Sequence, residues 1–138
     1  AASDAKLKFA VAYDGSESSV ASLNAMVKHS LFAVAPERVE VHLISCVPPV
    51  NTYPPFGVPI ESAEAMVAER LAEATRMLQE AEARVRAAGG EHVKLHVEVG
   101  DARIVLTRIC TEQAADHLYL GTRGYSNITG FFLGSVTQ

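Results

Sequence analysis

Glycines and a serine near the carboxyl end of the sequence have the spacing of an anion-binding loop. Gly121, Gly124, Gly134 and Ser135 follow a short apolar segment that is typical of a strand. Glycine permits positive φ and close approach of the backbone, so successive N–H groups can converge on one anion. Gly134 and Ser135 also suit a helix start, where unpaired N–H groups and the helix dipole favour phosphate. The spacing therefore predicts a phosphate-binding loop.

Simpler roles for these residues stay open. Ser135 and Gln138 fit the S-x-x-Q capping box, in which the serine caps its own helix. A glycine-rich loop after a strand is also often an ordinary turn. The sequence contains neither the G-x4-G-K-[S/T] motif of a P-loop nucleotide hydrolase nor a G-x-G-x-x-G dinucleotide motif at the first strand turn. Neither of those two site types is supported.

Four short apolar segments predict the strands that must position this loop. They cover 7–13, 39–47, 94–99 and 116–120. The second segment is apolar almost throughout, which indicates a strand that is covered on both faces and central in its sheet.

Amphipathic patterns predict three helices between these strands. The first begins after Asp14-Gly15-Ser16 and ends before Pro36, with an inner face of Val20, Leu23, Ala25, Val27 and Leu31. The second covers 60–88 and ends at Gly89-Gly90, with a stripe of Val67, Leu71, Ala74, Leu78, Ala81, Val85 and Ala88. Its exposed surface carries the i,i+4 pairs Glu80–Arg84 and Glu82–Arg86. The third follows Gly100-Asp101 and buries Ile104, Val105, Leu106, Ile109 and Cys110.

Alternating strands and helices predict an α/β fold. Right-handed crossovers give a doubly wound, mostly parallel sheet with helices on both faces. Ligands of such sheets bind beyond the carboxyl ends of the strands, where the strand order reverses. Asp14 and Gly121 follow the first and fourth strands, so they should meet at one edge of the sheet.

Composition limits the other classes of function. With 138 residues, the length predicts a single domain over 1–138. The net charge of −4 gives no basic footprint for a nucleic acid or an anionic membrane. No segment approaches the about 20 apolar residues of a membrane span, and the amino terminus has no apolar signal region. We therefore expect a cytoplasmic protein with no nucleic-acid or membrane partner.

The cysteines and histidines do not have the spacing of metal ligands. Cys46 and Cys110 lie in apolar segments without a CxxC pattern, which predicts buried free thiols. The histidines are scattered, and a structural role is predicted for His42, His96 and His117. No metal site formed by protein side chains is expected.

The segment 48–59 holds five prolines and predicts the longest irregular loop. It leaves the second strand at the edge where the ligand should bind. A lid or partner surface is one interpretation, and a solvated connector is the other.

The sequence resembles the ATP-binding subgroup of the universal stress protein family from Lys8 to Gln138. Gly121, Gly124, Gly134 and Ser135 match that subgroup's G-x2-G-x9-G-[S/T] motif, and further matches cover Val11–Ser16 and Val97–Asp101. The resemblance implies a Rossmann-like, adenine nucleotide alpha hydrolase-like sheet of order 3-2-1-4-5. It also implies a pocket for ATP or AMP at the switch between strands one and four, with Mg²⁺ or Mn²⁺ bound through the phosphates, and a homodimer or higher homo-oligomer.

The same resemblance assigns the site residues. Ala12, Tyr13 and Asp14 lie at the end of strand one, and Asp14 would face the adenosine; capping of helix one is its alternative role, for which Ser16 is the better candidate. The backbone of Cys46 would read the adenine edge. Gly121 and Gly124 would lie along the ribose and α-phosphate. The phosphates would contact Gly134, Ser135 and the Val136 N–H, with Arg123 as the cation of the loop.

Two features depart from the family pattern. Ala12 replaces a proline that is frequent in the family, which should change the rigidity of the pocket more than its chemistry. Family members continue into a last helix and a fifth strand, whereas the sequence ends at Gln138, so we expect that strand to be missing through truncation. Strand four would then be an apolar edge that favours association.

The resemblance favours a nucleotide-binding module in stress response or signalling. Alternatives are a slow ATPase or autophosphorylating enzyme and a ligand-free dimerisation module. Flavodoxin-like FMN binding is a rival at the level of the fold alone. No catalytic residue is assigned, because no general base or nucleophile is placed beside the loop.

Overall fold

The structure is a computed structural model that describes residues 6–52 and 57–121, apart from the side chain of Ser30. Its elements follow one another in the predicted alternation. They are β1 (Leu7–Ala12), α1 (Glu17–Val27), α2 (Ser30–Val34), a 3₁₀ turn (Pro36–Arg38), β2 (Val39–Val47), α3 (Ile60–Ala87), β3 (His92–Val99), α4 (Ala102–Glu112) and β4 (His117–Leu120).

The described strands form one parallel sheet of order β3-β2-β1-β4. This confirms the predicted α/β class and the order of the first four strands. β2 lies between β1 and β3, as its apolar sequence predicts. The expectation that a fifth strand is missing concerns the carboxyl end of the chain, which lies outside the described residues.

Helices cover the two faces of the sheet unequally. The chain steps from β1 to β2 to β3 in one direction, so right-handed crossovers place α1 and α3 on the same face. Phe9, Leu43, Leu78 and Val85 belong to the core on that face. The connection to β4 steps back across the sheet, which places α4 on the other face, in a second core with Ala12, Ile44, Ile109 and Leu118 among its members. The order reverses between β1 and β4, and this is the topological switch point.

The prediction of one helix between β1 and Pro36 is wrong. α1 ends at Val27, and the extended His29 begins α2, where its side chain accepts a hydrogen bond from the Leu31 N–H. The buried stripe of α1 is Ser19, Leu23 and Met26, whose i, i+4, i+7 spacing defines one face, whereas Ala25 is exposed.

Smaller corrections apply to α3 and α4. Ala88 is exposed because α3 ends one residue before it, and Glu80 pairs with Arg76 at 3.1 Å instead of with Arg84. The predicted Glu82–Arg86 pair is confirmed at 2.9 Å. Ile104 is exposed, because it falls outside the stripe formed by the other four predicted positions of α4.

Within the described ranges, no helix is both long and apolar enough to cross a membrane.

Candidate functional site

Asp14 follows β1 and turns the chain into α1. Its Oδ1 accepts a hydrogen bond from the Ser16 N–H at 2.9 Å, and Ser16 caps α1 by accepting from the Ser19 N–H at 3.3 Å. Ser16 is therefore the helix cap, as predicted. The second carboxylate oxygen of Asp14 makes no hydrogen bond within the part of the chain that the structure describes. One carboxylate oxygen of Asp14 therefore stabilises the turn, and the other is available as a hydrogen-bond acceptor.

A cleft of about 900 Å³ lies at the carboxyl ends of β1 and β2, against α3. α3 runs antiparallel to the strands, so positions nearer its start face the strand ends. Deeper in the layer between β2 and α3, Leu43 and Leu78 are fully buried. Ser45 lies two residues after Leu43 on β2, and Ala74 lies one turn before Leu78 on α3. Both residues line the cleft. The cleft exists because these facing positions are small.

The backbone of Cys46 also reaches this cleft. The Ile44 carbonyl accepts a hydrogen bond from the Tyr13 N–H at 2.8 Å, so the peptide groups of Ile44 face β1. The Val47 carbonyl accepts from the Gly100 N–H at 2.9 Å, on the opposite edge of β2. Alternation along a strand therefore turns the N–H and C=O of Cys46 toward the β1 side, beyond the end of β1 at Ala12.

The Cys46 side chain is a neutral thiol. Burial raises its pKa to about 12, helped by the negative charges of Glu98 and Asp101. The contribution of Cys46 to the cleft therefore comes from its peptide groups and not from a thiolate.

The α3 wall of the cleft did not follow from the sequence. Met66, Arg70 and Met77 line it together with Ala74. Arg70 Nη1 donates a hydrogen bond to the Pro48 carbonyl at 3.1 Å, which ties the start of the proline-rich loop to the helix. Gly15 has a φ of 83°, which favours glycine, and Met77 packs against it: a Cβ at position 15 would lie 2.6 Å from the Met77 sulfur, so this flexible side chain would have to shift. The sequence alone gives little indication that these residues line a cleft, because the amphipathic stripe of α3 shows only which face of the helix is packed against the sheet.

Gly121 ends β4 beside the first turn of α1. A Cβ at this position would lie 2.8 Å from both the backbone carbonyl carbon and the hydroxyl oxygen of Ser18. Close packing thus requires a glycine here whatever the ligand. Gly121 lines a second groove, of about 460 Å³, next to α1.

Five of the ten predicted site residues are described. Asp14 and Cys46 meet in the cleft, whereas Ala12 and Tyr13 are buried in the two cores and Gly121 packs on α1. The other five lie outside the described residues: Arg123, Gly124, Gly134, Ser135 and Val136. No group of three or more potential metal ligands occurs within residues 6–52 and 57–121.

Comparison with known proteins identifies the family. The model of the universal stress protein family matches residues 7–138. The chain belongs to the universal stress protein family. No match was found among curated proteins.

Solved structures share the universal stress protein fold of this chain. A family member from Burkholderia pseudomallei is 21% identical with a TM-score of 0.72, over 95% of this chain and 94% of that one. A family protein from Arabidopsis thaliana with AMP bound is 15% identical with a TM-score of 0.70, over 96% and 89% of the two chains. A universal stress protein in complex with cAMP is 23% identical with a TM-score of 0.57, over 91% and 80%. At these identities the likeness establishes the fold.

Proposed function

We propose that this universal stress protein binds an adenine nucleotide, ATP or AMP, in the cleft at the ends of β1 and β2, and serves in stress response or signalling. One observation carries the proposal: Asp14, with its available carboxylate oxygen, and the peptide groups of Cys46 line the same cleft. Adenosine presents amine and hydroxyl donors together with ring-nitrogen acceptors. The carboxylate can accept from the donors, and a peptide group supplies both a donor and an acceptor.

The size and the lining of the cleft support this ligand class. Small-molecule sites usually have about 300–1,000 Å³ and combine apolar walls with a few polar groups. The cleft has about 900 Å³ and apolar groups from Met66, Ala74 and Met77. Solved structures of the same fold include one with AMP and one with cAMP, which supports the ligand class by analogy.

The proposed contacts with the phosphates involve residues that follow Gly121 in the sequence. We propose that Gly124, Gly134, Ser135 and the Val136 N–H hold them, with Arg123 as the nearby cation and Mg²⁺ or Mn²⁺ bound through the phosphates. Gly121, which precedes these residues in the sequence, packs on Ser18 in the first turn of α1. A cytoplasmic location and a homodimer remain part of the proposal.

Calorimetry with Asp14→Asn tests the proposal. Asparagine keeps an oxygen for the Ser16 N–H but replaces the second carboxylate oxygen with a donor group. We expect saturable binding of ATP or AMP to the unchanged protein. We expect about 10- to 100-fold weaker binding by the variant, the range for a hydrogen bond to a charged group.

Asp116→Asn is the matched control. The Asp116 carboxylate also accepts a hydrogen bond from a backbone group, the Lys8 N–H, at 2.8 Å. Asp116 precedes β4 and so lies at the amino-terminal ends of the strands, whereas the cleft lies at their carboxyl ends. This variant should bind like the unchanged protein. Absence of binding heat from ATP, ADP and AMP with Mg²⁺ would refute the proposed function.

A further inference from the structure

Ser45 is a polar residue in an otherwise apolar layer. Val39, Val41 and Leu43 precede it on the same face of β2, and all three are fully buried in the core beneath α3. Ser45 itself is 3% exposed and lines the cleft. Its hydroxyl forms no hydrogen bond with any of the described residues. The Ser45 hydroxyl is not among the fully buried side-chain atoms without a partner in the described residues, so it is open to the cleft and can meet a ligand there.

Neighbouring groups indicate what this hydroxyl would meet. Asp14 and the Cys46 backbone supply further polar groups in the cleft, and Met66 and Met77 supply thioethers from α3. Thioethers make favourable contacts with aromatic rings. A hydroxyl both donates and accepts, so it can pair with a ring nitrogen or an exocyclic amine. A flat heteroaromatic base combines a ring suited to the thioethers with nitrogen donors and acceptors suited to the polar groups.

We infer that Ser45 is a base-contacting residue that helps to select a purine in this cleft, through a hydrogen bond from its hydroxyl to the ring. The inference rests on the proposed function, since it names a contact within the same site. It assigns a role to a side chain next to Cys46, whose own contribution is from the backbone. It also explains why this layer holds serine where a larger apolar residue would fill the space against Ala74.

The Ser45→Ala variant distinguishes a contact with the base from a role in packing, through its unfolding temperature and its affinity for nucleotides. Without ligand, the variant should unfold at the same temperature as the unchanged protein or a higher one, because no hydrogen bond to the described residues is lost. Its affinity for adenosine, AMP and ATP should fall about tenfold, and equally for all three, because the base is common to them. Ser19→Ala is the stability control: Ser19 is 1% exposed, but its hydroxyl donates to the Ser16 carbonyl at 3.0 Å, so its loss should lower the unfolding temperature.

Ser45→Thr and Ser45→Val form an isosteric pair that differs in the hydroxyl alone. The threonine variant should bind adenosine about tenfold more tightly than the valine variant. Equal binding by the pair, or unchanged binding by Ser45→Ala, would overturn the inference and indicate that water satisfies the hydroxyl. A loss confined to ATP would overturn it as well, because the contact would then lie at the phosphates. If the unchanged protein binds none of the three ligands, the proposed function fails and the inference fails with it.

Discussion

The Nδ1 atom of His42 lies 2.9 Å from the Nε2 atom of His96, and together the two imidazoles join the neighbouring strands β2 and β3. The other ring nitrogen of His42 lies 2.6 Å from Oε2 of Glu40. An ionised carboxylate only accepts, so His42 donates from Nε2, and its Nδ1 accepts from the Nε2–H of His96. Strand pairing creates this contact, because His42 is in register with Lys94, two residues before His96. The structural role predicted for His42 and His96 thus takes the form of a direct contact between the two rings, which their positions in the sequence do not reveal.

Acid should destabilise the protein through these two residues. Burial lowers the pKa of His42, with Lys94 and Lys8 acting in the same direction and Glu40 opposing them. Burial also lowers the pKa of His96, and the neighbouring His42 adds to this effect. Below the ordinary pKa of about 6.5, the unfolded chain binds protons that the folded protein binds less well. Stability is fully present above pH 6.5 and should fall as the pH drops toward the lowered values. Urea unfolding between pH 8 and pH 5 measures this loss.

His96→Gln should flatten that pH dependence, because one of the two poorly protonated groups is removed. His92→Gln, at the start of the same strand, is the control for the loss of an imidazole from β3 outside the His42–His96 contact. Identical profiles for the unchanged protein and His96→Gln would contradict this account.

Gly89 and Ala114 occupy the same place at the ends of two helices. In both, the next residue donates a hydrogen bond back to the helix at 2.9 Å, from Gly90 to Val85 and from Ala115 to Cys110. This pattern ends a helix with a residue of positive φ, and φ is 109° at Gly89 and 54° at Ala114. Alanine is strained there, so Ala114→Gly should raise the free energy of unfolding by about 1 kcal/mol. Gly89→Ala should lower it by at least that much, since its Cβ would also approach Pro36. Denaturant titration of both variants gives the comparison, and a loss of stability in Ala114→Gly would refute it.

The two thiols should be unreactive in the folded protein. Both are free, as predicted, but only Cys110 is fully buried and Cys46 is half-buried; burial raises the pKa of Cys46 to about 12 and that of Cys110 to about 11. The thiolate is the reactive form, so alkylation at pH 8 should be slow until the protein unfolds. Mass spectrometry after iodoacetamide treatment, with and without urea, counts the modified thiols. Rapid labelling of Cys46 in the folded state would contradict this expectation.

Local sequence determined most of the fold. The apolar run of β2, the prolines after it and Gly89-Gly90 after α3 each fix a boundary through backbone sterics, and the structure places those boundaries within a residue. The break between α1 and α2 escaped prediction because His29 carries no strong stop signal. Its side chain caps α2 with a ring nitrogen, which propensity does not reveal.

The sequence by itself determined that Asp14 and Gly121 would lie at the carboxyl ends of parallel strands, because strand direction follows from the alternation of strands and helices, and the family resemblance added Cys46. Only the tertiary structure decided that Ser45, Ala74 and Met77 form a cleft there, and that His42 and His96 are partners. Such contacts depend on the register between strands and on the rotation of α3 about its axis. Periodicity tells which face of an element is buried, but it does not tell which side chain of the neighbouring element that face meets.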